Sequence, residues 1–127
     1  MEVLTPVGLR IVLVEVGKKP IEYKTIRSHA GDDDEMRNTV GGWLKCIKLP
    51  HNIDLWINEE GMYEGFDINF FTATVEEETG AIKLVDEIRG NAFFASHDEG
   101  DFTVSLSDKQ VARVMNIFRS DRKIVLI

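Results

Sequence analysis

Cysteine is nearly absent from these 127 residues. Cys46 stands alone, which excludes an internal disulfide and fits a reducing compartment, where a lone thiol acts as a small buried hydrophobe. No apolar run approaches the roughly 18 residues that cross a bilayer, and the first residues lack the basic-then-apolar order of a secretion signal. The expected location is the cytoplasm, with no membrane partner. Basic residues are scarce in the middle of the chain. Residues 50–101 hold 2 Lys or Arg against 13 Asp or Glu, a local charge of −11, while residues 1–49 sum to +1 and residues 102–127 to +3, which together give the net −7. Binding to phosphate backbones needs cations that displace counterions, so direct nucleic-acid binding is disfavoured. An acidic surface keeps a protein soluble and is also free to meet a basic protein surface.

Patterns of known chemistry are missing as well. The three histidines, His29, His51 and His97, lie far apart beside turn residues and form neither an HExxH nor a Cys/His zinc pattern. There is no GxSxG elbow, and Gly41-Gly42 is too short to cradle a phosphate. The acidic quartet from Asp32 to Glu35 fails as a calcium loop, because the sixth position, where an EF-hand needs Gly, is Arg37. His97 with Asp98, Glu99 and Asp101 offers hard ligands, but consecutive turn residues point in different directions and a hydrated loop is favoured. Paired carboxylates such as Glu59 and Glu60 would serve acid-base work only if one were buried, and loop carboxylates are ordinarily hydrated. No catalytic residue, cofactor or metal is assigned.

What is present is the composition of a folded domain: 43% hydrophobic and 29% charged residues, enough to bury about two-thirds of the unfolded surface in one core. Residues 1–127 are read as a single domain. Residues 9–16 (LRIVLVEV) form a near-continuous run of β-branched residues and Leu, which predicts a central strand covered on both faces. Gly17 to Pro20 breaks it, and residues 21–26 alternate as the second strand of a hairpin, with Pro20 at a strand start or edge. The acidic quartet then opens a short helix that Gly41-Gly42 ends. Residues 43–49 and 53–58 read as an antiparallel pair around the turn Pro50, His51, Asn52.

In residues 53–58, Ile53, Leu55 and Ile57 share one face and Asp54, Trp56 and Asn58 the other. Trp56 therefore either packs under a helix covering that face or anchors a partner, packing being the favoured alternative. Asn58, Glu59, Glu60 and Gly61 read as a hairpin connection in which Gly supplies a positive φ. Residues 69–75 have strand composition and residues 81–88 fit either a strand or a poor helix, the strand being favoured, around the charged turn of residues 76–80, and residues 91–96 and 102–106 read as another pair around a Gly-containing loop. Ser107 and Gln110 form a capping box. Val111, Val114, Met115 and Phe118 then recur at i, i+3, i+4 and i+7, which predicts a C-terminal helix with one stripe on the core. Lys123, Ile124, Val125, Leu126 and Ile127 are too apolar for a free tail and are expected to pair as an edge strand or to join two subunits in a homodimer. The sum is an α+β fold: a mostly antiparallel, twisted sheet with one short helix and one longer C-terminal helix packed on a face, in two layers.

Four segments, taken in order, resemble the family known as domain of unknown function 3846. They are VEVGKKPIEYKTI (residues 14–26), VGGWLKCIKLP (40–50), LWINEEGMYEG (55–65) followed by Asn69, and FFASHDEGDFTVSLSD (93–108). The resemblance covers most of residues 10–118. It implies an origin in bacteriophages, plasmids or other mobile elements of bacteria, and it carries no activity or site residues. The chain departs from the family pattern in residues 70–89, where acidic sequence is added, and in its apolar end. The function expected first is a non-enzymatic accessory protein that binds a host protein, as in host takeover or anti-defence, through an acidic and aromatic surface. The candidates for that surface are Trp56, Glu59, Glu60, Glu76, Glu77, Glu78, Asp98, Glu99 and Asp101. A small-ligand or nucleotide-sequestering domain is the first alternative, and a small hydrolase using loop carboxylates the second.

Overall fold

A computed structural model describes residues 8–27, 34–61, 64–119 and 124–127. In chain order the elements are β1 (Gly8–Val14), β2 (Ile21–Arg27), α1 (Asp34–Val40), β3 (Leu44–Leu49), β4 (Ile53–Asn58), β5 (Ile68–Val75), β6 (Ile82–Arg89), β7 (Ala92–His97), β8 (Thr103–Val104), α2 (Asp108–Ile117) and β9 (Ile124–Leu126). The α+β class and its mainly antiparallel sheet hold. Asp32 and Asp33 of the quartet lie outside the described residues, as does Lys123.

The strands form two sheets. The larger runs β2-β1-β7-β4-β3, all antiparallel, with β8 added beside the end of β7. The smaller runs β6-β5-β9, antiparallel between β6 and β5 and parallel between β5 and β9. The expected hairpin after β4 is therefore corrected, because β4 and β5 belong to different sheets. Gly61 does not have a positive φ; a Cβ there would come within 2.8 Å of the Arg89 carbonyl oxygen, so close approach is what requires glycine. The turn itself is shaped by Asn58, whose Oδ1 accepts from the Glu60 N–H at 2.8 Å.

Both faces of the larger sheet are covered, so the expected two layers become three. On one face Leu9, Ile11, Phe93 and Ala95 pack against Met36 and Val40 of α1. On the other, Val12, Val14, Leu55 and Phe94 meet Val111 and Val114 of α2 together with Phe70, Ile88 and Val125 of the smaller sheet. This explains why β1 and β7 lack clean alternation: a strand buried on both faces has no solvent side. Phe70, Phe94 and Phe118 join the smaller sheet, the larger sheet and the end of α2 through ring centroids 5.4 to 6.1 Å apart. Such pairs add about 0.5–1.5 kcal/mol each beyond the area they bury. Asn69, at a bulge in β5, donates from Nδ2 to the carbonyls of Val14 (2.8 Å) and Gly90 (3.0 Å) and pins one sheet to the other.

Helix α2 starts as its sequence predicts. The Ser107 N–H donates to Gln110 Oε1 at 2.9 Å, and the Gln110 N–H donates to Ser107 Oγ at 3.2 Å. At the other end of the chain order, α1 stops at Gly41, which adopts φ +82 and donates to the Arg37 carbonyl at 2.8 Å.

Candidate functional site

The carboxylates singled out from the sequence occupy three separate places. Glu59 and Glu60 are exposed just after β4. Asp98, Glu99 and Asp101 follow β7, and because Ile53 pairs with Ser96 they lie at the opposite end of β4. Asp98 is spent on its own turn: its Oδ1 accepts from the N–H groups of Gly100 (2.9 Å) and Phe102 (3.0 Å). Glu76, Glu77 and Glu78 form the exposed connection between β5 and β6 on the smaller sheet.

Trp56 leaves the candidate surface. It sits partly buried in the α1-side cluster, stacked on Phe93 at 6.4 Å, because it shares a sheet face with residues that α1 covers. The tryptophan that solvent reaches is Trp43, 63% exposed, with the Arg37 guanidinium 5.3 Å from its ring centroid. Phe102, 67% exposed, is the aromatic beside the Asp98 turn.

A polar cluster that the sequence did not reveal lies on the α1-side face, where β3, β4 and β7 adjoin. Asp54 is buried, and its Oδ1 lies 2.9 Å from His97 Nδ1 and 3.3 Å from Lys48 Nζ, with Asp101 Oδ1 3.8 Å from the same ammonium. An ionised carboxylate only accepts, which assigns the ring proton to Nδ1 and turns Nε2 away. Desolvation pulls the Lys48 ammonium down, but the hydrogen bond and charge of Asp54 outweigh it, and the net direction is up. The nearby Cys46 thiol is pushed up to about 11, first by burial and then by the charge of Asp54. It is therefore a protonated thiol near neutral pH, a poor nucleophile despite its setting. Among the described residues no hydroxyl or thiol bonds His97 Nε2, and no three His, Cys, Asp or Glu side chains converge to hold a metal ion. The one signal in the sequence was the strand face that Asp54 shares with Trp56.

The second feature is β6. Its inner edge pairs with β5 from Ile68↔Arg89 to Val75↔Ile82, and its outer edge has no strand partner among the described residues. Ile82, Leu84 and Val85 are 51%, 55% and 47% exposed along it. A bulge sets Thr72 opposite Asp86 and Ala73 opposite Leu84, leaving Val85 without a partner, and the Asp86 N–H donates to Thr72 Oγ1 at 3.2 Å. Glu76, Glu77 and Glu78 make no ion pair among the described residues, whereas Glu87 is bound by Arg89 at 2.9 Å. The hairpin is closed by mutual bonds between Glu76, Gly80 and Ala81, with Gly80 at φ +70. The exposed apolar residues of β6 thus adjoin an acidic tip that has no ion pair among the described residues.

Among the described residues no helix is long and apolar enough to cross a membrane. Comparison with known proteins finds no match among curated proteins or solved structures. It does find one family model, described as domain of unknown function (DUF3846), matching residues 9–119. That span takes in both sheets apart from β9 and the start of β1, and both helices. By its sequence, the chain is a member of the DUF3846 family.

Proposed function

We propose that this chain is a non-enzymatic accessory protein of a phage or other mobile element that binds a protein of its bacterial host in the cytoplasm, and that the outer edge of β6 with the acidic tip is the binding surface. The observation that carries the reading is the outer edge of β6, which has no strand partner among the described residues and whose Ile82, Leu84 and Val85 face solvent beside Glu76, Glu77 and Glu78. A strand edge offers main-chain donors and acceptors to an extended segment, and the exposed side chains choose among segments. The bulge at Val85 and the charges of Lys83, Asp86 and Glu87 oppose pairing of β6 with itself. The partner that fits is an extended apolar segment flanked by Lys or Arg, drawn in by charge and held by burial.

The test is affinity capture from the bacterial host with tagged wild type, the triple reversal E76K/E77K/E78K, and Leu84→Lys. A host protein held by the wild type and lost from both variants, each shown to be folded by circular dichroism, is the expected result. Identical captures from all three would remove β6 as the surface. Light scattering on the free protein separates this reading from a homodimer through Ile124, Val125, Leu126 and Ile127, since β9 is the other outer strand of the smaller sheet.

A further inference from the structure

A cleft of ≈ 380 Å³ opens where the two sheets and α2 meet, on the side of the molecule away from α1. Leu49 and Ile53 of the larger sheet, Ile82 and Leu126 of the smaller one, and Ile117 of α2 make its walls, and Arg113 stands in its lining. Its size and apolar character fall in the range of small-molecule sites, which combine greasy walls with a few placed polar groups.

Two features make it more than a gap between elements. The first is a held wall. His51 and Asn52, in the turn that borders the cleft, adopt φ 67 and φ 59, a left-handed conformation that non-glycine residues avoid. They stay there because Gln110 Nε2 donates to the His51 carbonyl (3.0 Å) and Ser96 Oγ to the Asn52 carbonyl (3.0 Å). The second is charge. In an acidic chain, Arg10 is bound by Glu22 and Asp108 and Arg89 by Glu87. Arg113, exposed at the cleft, has no carboxylate partner among the described residues, and with His51 it is one of two polar side chains in a mainly apolar lining. A guanidinium presents parallel N–H donors that suit a carboxylate.

We infer that this cleft binds a medium-chain alkyl carboxylate, its chain between Ile53, Ile117 and Leu126 and its headgroup on Arg113. Burial of the chain supplies the attraction and the guanidinium selects the anionic head. The site lies in the space between the sheets and shares Ile82 with the β6 surface, but Arg113 of α2 lies outside that surface, so Arg113→Gln tests this site apart from the host-protein reading.

The experiment is calorimetric titration and thermal shift of the full chain with decanoate, 1-decanol and decyltrimethylammonium, each below its micelle concentration. Decanoate is expected to bind at one site and more tightly than decanol, and the cation not at all. Arg113→Gln should weaken decanoate about tenfold or more while leaving decanol unchanged, since a charge-assisted hydrogen bond is lost. Leu126→Glu, at a half-exposed wall position, should abolish both, and E76K/E77K/E78K should change neither. Equal binding of all three probes, no binding of any, or decanoate affinity unchanged in Arg113→Gln would each overturn the assignment. Preference for an apolar peptide with a free C-terminus over decanoate would overturn it in favour of a protein ligand.

Discussion

The side-chain amide of Gln110 donates to the carbonyl of His51 at 3.0 Å, and so ties the first turn of α2 to the β3–β4 turn 59 residues earlier in the chain. The same amide reaches Ser96 Oγ at 3.0 Å, while its oxygen caps Ser107. One side chain thereby starts a helix, holds a strained turn and joins β7 to both.

Gln110→Ala should therefore cost more than a missing cap alone, about 1–3 kcal/mol in urea denaturation. Gln110→Glu keeps the acceptor for the Ser107 N–H but has no N–H to give His51, so it should recover only part of that loss. If both variants unfold with the wild type, the amide contributes nothing to the turn.

Asp54 should matter more than the lysine that faces it. Asp54→Ala strands the Nδ1–H of His97 and is expected to destabilise by about 1–3 kcal/mol. Lys48→Met leaves Asp54 its bond to His97 and removes a mainly exposed ion pair, so its cost should be small. A double-mutant cycle between Asp54 and His97 measures the coupling directly; a value near zero would show that the 2.9 Å contact does not contribute.

With its thiol pushed up to about 11 from an ordinary 9.0, Cys46 should resist iodoacetamide at pH 8 in the native protein and react quickly in denaturant. The linkage has a definite sign. The folded state holds the thiol proton more tightly than the unfolded one, so this contribution is fully present below pH 9 and is lost as pH rises through about 11. Mass spectrometry of the alkylated protein checks the first point, and denaturation across the alkaline range of wild type against Cys46→Ala the second.

Phe70 is fully buried, with its ring against Phe94 of the larger sheet and Phe118 at the end of α2. Phe70→Ala should cost about 3–5 kcal/mol by calorimetry, the transfer term plus the cavity left behind. A loss below about 1 kcal/mol would mean that the smaller sheet can slide in to fill the space.

Much of the local structure was legible. Of the run read as a strand over residues 9–16, the part through Val14 is β1, because β-branched residues suit a pleated, doubly covered environment. Helix α2 is legible twice over, in the Ser107 and Gln110 cap and in the spacing of Val111 and Val114. The apolar end becomes β9 at the edge of the smaller sheet, one of the two outcomes its composition allowed. In each case the signal and its cause lie within a few residues of one another.

The candidate surface was legible in parts. Glu76, Glu77 and Glu78 announce themselves as a charge run, but nothing adjacent to them says that the following strand has a bare outer edge. Trp56 was on the correct face, yet the alternation that places it cannot say that α1 lies over that face. His97 was read as part of a hydrated loop because its partner, Asp54, is 43 residues away.

Side-chain period and capping chemistry act along the chain, and they sufficed for the existence and type of most elements and for the acidic middle of the molecule. Only the assembled tertiary structure decided that β5 leaves the sheet containing β4, that Asp54 meets His97, and that Arg113 borders an apolar cleft. Those outcomes depend on which surfaces find one another once every strand is twisted and packed, and a pattern of period two is satisfied equally well by any neighbour that covers its apolar side.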